Sequence, residues 1–221
     1  MTDKPLILGA ILYEGFELLD MFGPLEMFTA LAPELLQVVM IAETKGPVKA
    51  GSMSNGPVPT VLADYGFDDA PSLDLILLPG GIGTFPELEN EKMLNFLREK
   101  SALAQITSSV CTGSALLAKA GLLDGRKATT NKMFFSLAAS QSDKVQWMEQ
   151  ARWVDDGEFV TSSGVSAGID MALAIVRTEH SADELREAAR RAAAIRMILA
   201  FNIRIFCGNV RFLQVPNLNI S

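Results

Sequence analysis

Residues 105–117 read QITSSVCTGSALL, and this stretch decides the fold class. An apolar β-type run, Ala104 to Val110, is followed at once by Cys111, and helical apolar spacing then extends from Thr112 to Leu123. In an open α/β sheet such a corner lies at the carboxyl ends of the strands, where ligands bind. The pattern is typical of a nucleophile elbow, and the alternative is that Cys111 is a small apolar core residue. The partial positive charge at the start of the helix is expected to favour the thiolate form of Cys111.

The rest of the chain repeats the change from strand to helix. Further β-type runs are Leu6 to Leu12, Leu36 to Ala42 and Leu73 to Leu78, and helical patterns are Gly23-Pro24 to Ala32, Pro86 to Lys100, Lys132 to Ser140 and Gly168 to Thr178. Asp156-Gly157 predicts a hairpin turn between Val145 to Val154 and Glu158 to Thr161, and residues 43 to 60 predict short hairpin pieces and loops. Strands separated by helices predict a mainly parallel sheet covered by helices on both faces.

The length of 221 residues fits one domain, which we place at residues 1–190, followed by an atypical tail at 191–221. The formal net charge of −7 argues against nucleic acid as a partner. The tail is unusual because residues 188–221 hold five arginines and no acidic residue. It is interpreted as a surface or dimer-contact appendage, and a phosphate-binding role is the alternative.

The N-terminus lacks a basic region and a cleavage site, and the longest uncharged run, residues 101–118, is too polar for a lipid span. We therefore predict a cytoplasmic protein without a membrane partner. Two cysteines and one histidine exclude a disulfide framework and predict no metal site and no cofactor. The histidine, His180, follows the helix predicted at Gly168 to Thr178, at the end away from the corner, so a Cys–His dyad is not expected.

Asp20 is the carboxylate that the pattern favours as a partner for Cys111. It follows the first predicted strand closely and lies among apolar residues, and burial would raise the pKa of its carboxyl group towards neutrality. The alternative is a solvated cap for the helix predicted at Pro24. Glu17 is the rival carboxylate, and Glu26 is expected to be solvated.

The third strand ends in Pro79-Gly80-Gly81-Ile82-Gly83. Its backbone amides, those of Gly80 and Gly81 in particular, are candidates to face the Cys111 sulfur and hold an anion, and a plain tight turn is the alternative. The segment is neither a dinucleotide fingerprint nor a P-loop, so a nucleotide ligand has no support.

Five segments in this order resemble the ThiJ/PfpI superfamily. They are Phe16-Glu17-Leu18-Leu19-Asp20 with Gly23-Pro24, Leu78-Pro79-Gly80-Gly81, Ser109-Val110-Cys111-Thr112-Gly113-Ser114, Ala120-Gly121-Leu122-Leu123-Asp124-Gly125-Arg126 with Ala128-Thr129-Thr130, and Gly164-Val165-Ser166-Ala167-Gly168-Ile169-Asp170. The resemblance implies a flavodoxin-like three-layer sandwich, a homodimer and a reactive cysteine at the elbow.

Asp20 with Cys111-Thr112 is similar to the isonitrile hydratase branch, which adds water to an isonitrile to give an N-substituted formamide. The resemblance implies that Cys111 attacks the isonitrile carbon and that Asp20 manages the proton and positions water. It implies that Thr112 contributes its amide or hydroxyl near the sulfur and that Gly81 contributes an amide. The implied partner is a small-molecule electrophile.

The chain departs from the branch at two places, and at a third position it differs from protease-like relatives. Asn131 replaces a histidine that often follows Thr129-Thr130, which removes a possible partner of the cysteine. Thr112 stands where protease-like relatives have histidine, so peptidase activity is discounted. The tail after about Arg191 lacks the acidic, aromatic ending of the branch.

Two other functions remain open at this point. One is a non-enzymatic sensor that oxidises Cys111 or binds a metabolite. The other is a glyoxalase- or chaperone-like activity, although those branches use a glutamate and a histidine beside the cysteine that this chain lacks at the matching positions.

Overall fold

A computed structural model describes residues 4–31, 33–51 and 57–179. Strands and helices alternate along this part of the chain. They are β1 (Leu6–Ile11), α1 (Leu18–Phe28), β2 (Leu36–Ile41), β3 (Gly46–Lys49), β4 (Thr60–Ala63), β5 (Leu75–Leu78), α2 (Thr84–Glu87), α3 (Glu91–Ser101), β6 (Ile106–Val110), α4 (Gly113–Lys119), β7 (Lys127–Ala128), α5 (Phe135–Ala139), β8 (Gln146–Trp147), β9 (Trp153–Asp156), β10 (Phe159–Ser162) and α6 (Val165–Glu179).

Six strands form the central sheet, in the order β2-β1-β5-β6-β10-β9. All neighbouring pairs are parallel except β10 with β9, which is the hairpin predicted at Asp156-Gly157. Every residue of β5 is buried, and successive side chains of a strand point to opposite faces. Both faces of the sheet are therefore covered, and the predicted mainly parallel, flavodoxin-like sandwich is confirmed.

Helices α1 and α6 pack against each other closely. A Cβ atom at Gly23 of α1 would lie 3.0 Å from Cγ1 of Ile169 in α6, so a larger residue would push the helices apart. Helices α3 and α4 contact each other, and α4 contacts β6. This arrangement places the amino-terminal end of α4 next to the carboxyl end of β6, at residue 111.

The prediction that a helix begins at Gly23-Pro24 is wrong. Helix α1 begins at Leu18, with Pro24 inside it. A proline in a helix removes one backbone hydrogen bond, but Met21, Leu25 and Phe28 are buried in the core, and this burial favours the helical path. The early start matters because it places Asp20 in the first turn of α1.

The predicted helix Pro86 to Lys100 is two helices, α2 and α3. They are separated at Asn90, whose side chain accepts hydrogen bonds from the amides of Lys92 and Met93 and so begins α3. Other elements are shorter than predicted: α4 ends at Lys119, before Gly121 with φ +78°, and only the β8 and β9 parts of Val145 to Val154 are strands. The hairpin pieces expected around residues 43 to 60 are β3 and β4, which pair antiparallel.

His180 and the tail, residues 191–221, lie outside the described residues, as does the acid-free segment from 188. Within the described ranges, none of the helices combines the length and apolar character needed to cross a membrane.

Candidate active site

Cys111 lies at the corner between β6 and α4, in a backbone conformation that is costly for a side chain. Its φ is +58°, and within residues 4–31, 33–51 and 57–179 it is the one non-glycine residue with a positive φ. A left-handed residue with a Cβ atom costs about 1–2 kcal/mol. The conformation presents the thiol at the sheet edge, as expected for a nucleophile elbow.

Three hydrogen bonds hold the Cys111 backbone in this conformation. Its amide donates to the Ser162 carbonyl oxygen over 2.9 Å. Its carbonyl oxygen accepts from the hydroxyl of Thr130 and from that of Ser114, each over 3.2 Å. The hydrogen-bonding role of these three residues was not predicted, although Ser114 and Thr130 belong to segments that carried the family resemblance. Strain of this kind persists where surrounding contacts over-determine it.

The Asp20 carboxyl group is fully buried beside the Cys111 thiol. Its Oδ2 atom accepts a hydrogen bond of 3.2 Å from the Gly80 amide, whereas Oδ1 has no partner with regular hydrogen-bond geometry. Burial raises the pKa of Asp20 to about 7, and the charge of Glu17 raises it as well. The thiol of Cys111 and the Gly80 amide partly offset this rise. A carboxyl group with this pKa can both accept and donate a proton near neutrality.

The pKa of Cys111 is raised to about 12, first by burial and then by the charge of Asp20. The Thr112 amide and the Asn131 side chain act in the opposite direction without overcoming it. The expectation that the start of a helix favours the thiolate is therefore wrong for the resting site. Desolvation and a neighbouring carboxylate outweigh the field of the seven-residue helix α4.

Asn131 contacts the Cys111 sulfur directly. Its Nδ2 atom donates to Sγ over 3.0 Å, and its Oδ1 atom accepts from the amides of Met133 and Phe134 over 2.9 and 3.2 Å. The two backbone donors fix which end of the side-chain amide faces the sulfur. The expectation that asparagine removes a partner of the cysteine is wrong, because the amide itself is such a partner.

We predict that Asn131→Asp slows alkylation of Cys111 by iodoacetamide at pH 8 by about tenfold. The substitution keeps the oxygen that accepts from Met133 and Phe134, but it removes the donor and places a carboxylate beside the sulfur, which raises the Cys111 pKa further. Asn131→His, which restores a nitrogen donor, is expected to react faster than Asn131→Asp. Equal rates in the wild type and Asn131→Asp would show that the contact does not tune the thiol.

Thr112 is buried, and its hydroxyl group faces the loop after β5 instead of the sulfur. Its Oγ1 atom accepts from the Gly81 amide over 3.1 Å and lies 2.8 Å from Oγ1 of Thr84. Thr84 in turn lies 3.0 Å from the hydroxyl of Tyr13, which donates to the Pro79 carbonyl oxygen over 2.7 Å. Of the two groups expected from Thr112, the backbone amide is the one that acts on the Cys111 pKa.

Gly80 and Gly81 bring the loop after β5 against the elbow. A Cβ atom at Gly80 would lie 2.6 Å from the Thr112 nitrogen, so only glycine fits there. The Gly80 amide donates to Asp20 and the Gly81 amide to Thr112. Both amides are thus used within the protein, which differs from the expected open anion site near the sulfur.

We predict that Thr112→Val lowers the free energy of unfolding by about 1 kcal/mol, because it leaves the half-buried Gly81 amide without its acceptor. Thr112→Ser keeps the hydroxyl group, and its free energy of unfolding is expected to fall by less than half of that amount. Urea denaturation at pH 7 measures both. A Thr112→Val variant as stable as the wild type would show that this hydroxyl carries no structural role.

A cavity of about 260 Å³ opens above Cys111. It is lined by Glu17, Asp20, Gly81, Ile82, Phe85, Cys111, Thr112, Asn131, Met133, Phe134, Gly164 and Val165. The apolar part of the wall was not predicted from the sequence, because its side chains come from three separate segments. Phe85 and Phe134 meet edge to face, with ring centroids 5.7 Å apart. The cavity suits a small organic molecule with an apolar body.

Glu17 and Glu26 differ in their position relative to this cavity. Glu26 is exposed on α1 and does not line the cavity, as expected, whereas Glu17 does line it. Within the part of the chain that the structure describes, no three histidine, cysteine or acidic side chains lie close enough together to hold a metal ion.

Comparisons with known proteins agree with this architecture. The isonitrile hydratase of Pseudomonas putida is 35% identical over 178 residues, which are 78% of this chain and 71% of that protein. The HTH-type transcriptional regulator GbdR of Pseudomonas aeruginosa is 32% identical over 120 residues, which are 54% of this chain and only 32% of the regulator. Protein DJ-1 homolog B of Arabidopsis thaliana is 34% identical over 120 residues, 52% of this chain and 26% of that protein.

Solved structures show the same fold. A THiJ/PfpI family protein from Pseudomonas syringae superposes with a TM-score of 0.74 at 26% identity, covering 86% of this chain and 75% of that one. Drosophila melanogaster DJ-1beta superposes with a TM-score of 0.70 at 19% identity, covering 84% and 96%. Residues 7–178 match the DJ-1/PfpI family, and the chain therefore belongs to that family.

Proposed function

We propose that this protein is a cysteine-dependent hydratase that adds water to an isonitrile and releases an N-substituted formamide. The observation that carries the proposal is the pairing of Cys111 with the buried carboxyl group of Asp20 at the base of one small, largely apolar cavity. The similarity to the Pseudomonas putida isonitrile hydratase over most of both chains supports it.

The first step joins the Cys111 sulfur to the terminal carbon of the isonitrile. Asp20, in its carboxylate form, accepts the thiol proton and passes it to that same carbon as the sulfur attacks. The product is a thioimidate, in which the carbon is bonded to sulfur, to hydrogen and, through a double bond, to nitrogen. Asn131 and the Thr112 amide stabilise the negative charge that develops on sulfur while its proton is absent.

The second step adds water to the thioimidate. Asp20 takes a proton from water as the oxygen attacks the carbon and passes that proton to the nitrogen, which gives a tetrahedral adduct. The adduct then expels the Cys111 sulfur, and the hydroxyl proton returns to the thiol through Asp20. The balance is one isonitrile and one water consumed for each formamide released, and the enzyme is regenerated.

The raised pKa of Cys111 supports an enzyme over a peroxide sensor. Sensor cysteines react as thiolates and have a low pKa and an open environment. Cys111 has a pKa near 12 and is half-buried beside the carboxyl group of Asp20. Such a thiol reacts well only with a substrate that engages both Cys111 and Asp20.

The experiment that tests the proposal is formamide release from a simple alkyl isonitrile. Many turnovers per protein are expected, and methylglyoxal offered under the same conditions is expected to remain unconsumed. A protein that consumes one equivalent of peroxide and no isonitrile would be a sensor. Turnover of methylglyoxal alone would assign it to the glyoxalase-like activity.

We also propose a homodimer, as the family resemblance implies, with a small-molecule electrophile as the partner and no nucleic acid. The proposed location is the cytoplasm. Light scattering of the purified chain is expected to give twice the monomer mass of 23.9 kDa. A monomeric mass at micromolar concentration would exclude the homodimer.

A further inference from the structure

The wall of the cavity above Cys111 has an uneven distribution of charge. Two carboxyl groups, those of Glu17 and Asp20, belong to the wall, whereas none of its residues is a lysine, arginine or histidine within the described part of the chain. Lys132 follows Asn131 in sequence, but its ammonium group donates to Thr129 and to the Ala151 carbonyl oxygen and does not line the cavity.

The remaining wall is apolar and reaches the surface. Ile82, Phe85 and Met133 are 50%, 40% and 79% exposed, so a bound molecule meets apolar side chains before it reaches the sulfur. Apolar walls lower the local dielectric constant, which strengthens the effect of a nearby charge. The charges of the carboxyl groups therefore interact with any charge on an incoming molecule, and the exposed apolar side chains contact its uncharged part.

Glu17 is suited to a role distinct from that of Asp20. It precedes α1, and its amide donates to the Gly80 carbonyl oxygen over 2.8 Å, which anchors it beside the loop after β5. Its charge acts inside the cavity, because it contributes to the raised pKa of Asp20. The proton transfers described above do not use it.

We propose that this cavity selects its electrophile by charge, accepting neutral and cationic molecules with an apolar body and rejecting anionic ones, with Glu17 as the residue that sets the preference. Applied to isonitriles, the preference rests on the proposed hydratase activity. Alkyl, aryl and amine-bearing isonitriles would then be substrates, and carboxylate-bearing isonitriles would not.

The test measures the charge preference without requiring turnover. Cys111 is labelled in a Cys207→Ser background with three methanethiosulfonates, which carry a methyl, an aminoethyl or a sulfonatoethyl group. The Cys111 thiolate attacks the sulfenyl sulfur of each reagent, forms a mixed disulfide and releases methanesulfinate. Each rate constant is divided by the rate constant of the same reagent with N-acetylcysteine.

After this correction, the cationic reagent is expected to react about tenfold faster than the anionic one. Glu17→Gln is expected to reduce that ratio about three- to fivefold, whereas Glu26→Gln, which removes the same charge from an exposed position on α1, is expected to leave it unchanged. A wild-type ratio near one, or equal ratios in the wild type and Glu17→Gln, would overturn the proposal.

A salt titration of the wild type provides a measurement that does not depend on any variant at Glu17. The ratio is expected to fall as ionic strength rises from about 0.01 to about 1 M, because the Debye length falls from about 30 to about 3 Å. A ratio independent of salt would also overturn the proposal. If the labelling preference is present and no isonitrile is hydrated, the proposed function fails while the charge preference stands.

Discussion

Cys111→Ala is expected to abolish formamide release while leaving the fold intact. The variant removes the atom that forms the bond to the isonitrile carbon, so the rate should fall by about 10⁴-fold or more, to the level of the uncatalysed reaction. Alanine keeps the Cβ atom, and the backbone bonds to Ser162, Thr130 and Ser114 do not involve the thiol. The variant should therefore melt cooperatively, close to the wild-type temperature.

Cys207→Ser is the matched control for this experiment, because it removes the other thiol of the chain. It is expected to hydrate isonitriles at the wild-type rate and to trap a thioimidate of the same mass at Cys111 during turnover. Activity retained in Cys111→Ala would contradict the covalent mechanism and leave Asp20 to activate water directly.

Asp20→Asn is expected to lower the hydratase rate by about 10²–10⁴-fold, the usual contribution of a positioned acid–base group. At the same time, it should speed alkylation of Cys111 at pH 8, because the negative charge that raises the Cys111 pKa is removed. A merely structural defect would not produce opposite changes in turnover and thiol reactivity. A variant with an unchanged hydratase rate would exclude Asp20 from the reaction.

Asp20→Asn is also expected to change how the free energy of unfolding depends on pH. The pKa of Asp20 rises from 3.8 to about 7 on folding, so the folded state holds its proton more tightly than the unfolded state does. This stabilising contribution is complete below pH 3.8 and is lost as the pH rises through about 7. Asp20→Asn should weaken the decline of unfolding free energy over this range, and Glu26→Gln, which alters an exposed carboxyl group, should not. Urea denaturation from pH 4 to pH 8 measures the difference.

The parts of the site that follow from local sequence were predictable, and the parts that depend on tertiary contacts were not. The change from a β-type run to helical spacing at Cys111 identified the corner, and Asp20 followed from its place after the first strand. The beginning of α1 was misplaced because the local preference of Pro24 for a helix start gave way to the burial of Met21 and Leu25.

Asn131 is the clearest example of a site residue whose position the sequence alone does not predict. It is 20 residues from Cys111 in sequence, and its side-chain direction depends on the amides of Met133 and Phe134. No spacing rule links it to the sulfur. The cysteine pKa was misjudged for a related reason, since the helix is visible in the sequence whereas the depth of burial is not.

The contacts among Tyr13, Thr84 and Thr112 determine where each hydroxyl hydrogen points. Tyr13 gives its hydrogen to the Pro79 carbonyl oxygen, so Thr84 donates to Tyr13, and the Thr112 hydrogen is shared between Thr84, at 2.8 Å, and the Gly81 carbonyl oxygen, at 3.4 Å. The Gly81 amide completes the order by donating to Thr112. The hydrogen bonds from Gly81 through Thr112 and Thr84 to Tyr13 all point in the same direction, and hydrogen bonds aligned in this way polarise one another. Thr112 consequently has no free hydroxyl hydrogen for catalysis, and the proposed proton transfers involve Cys111, Asp20, water and the substrate.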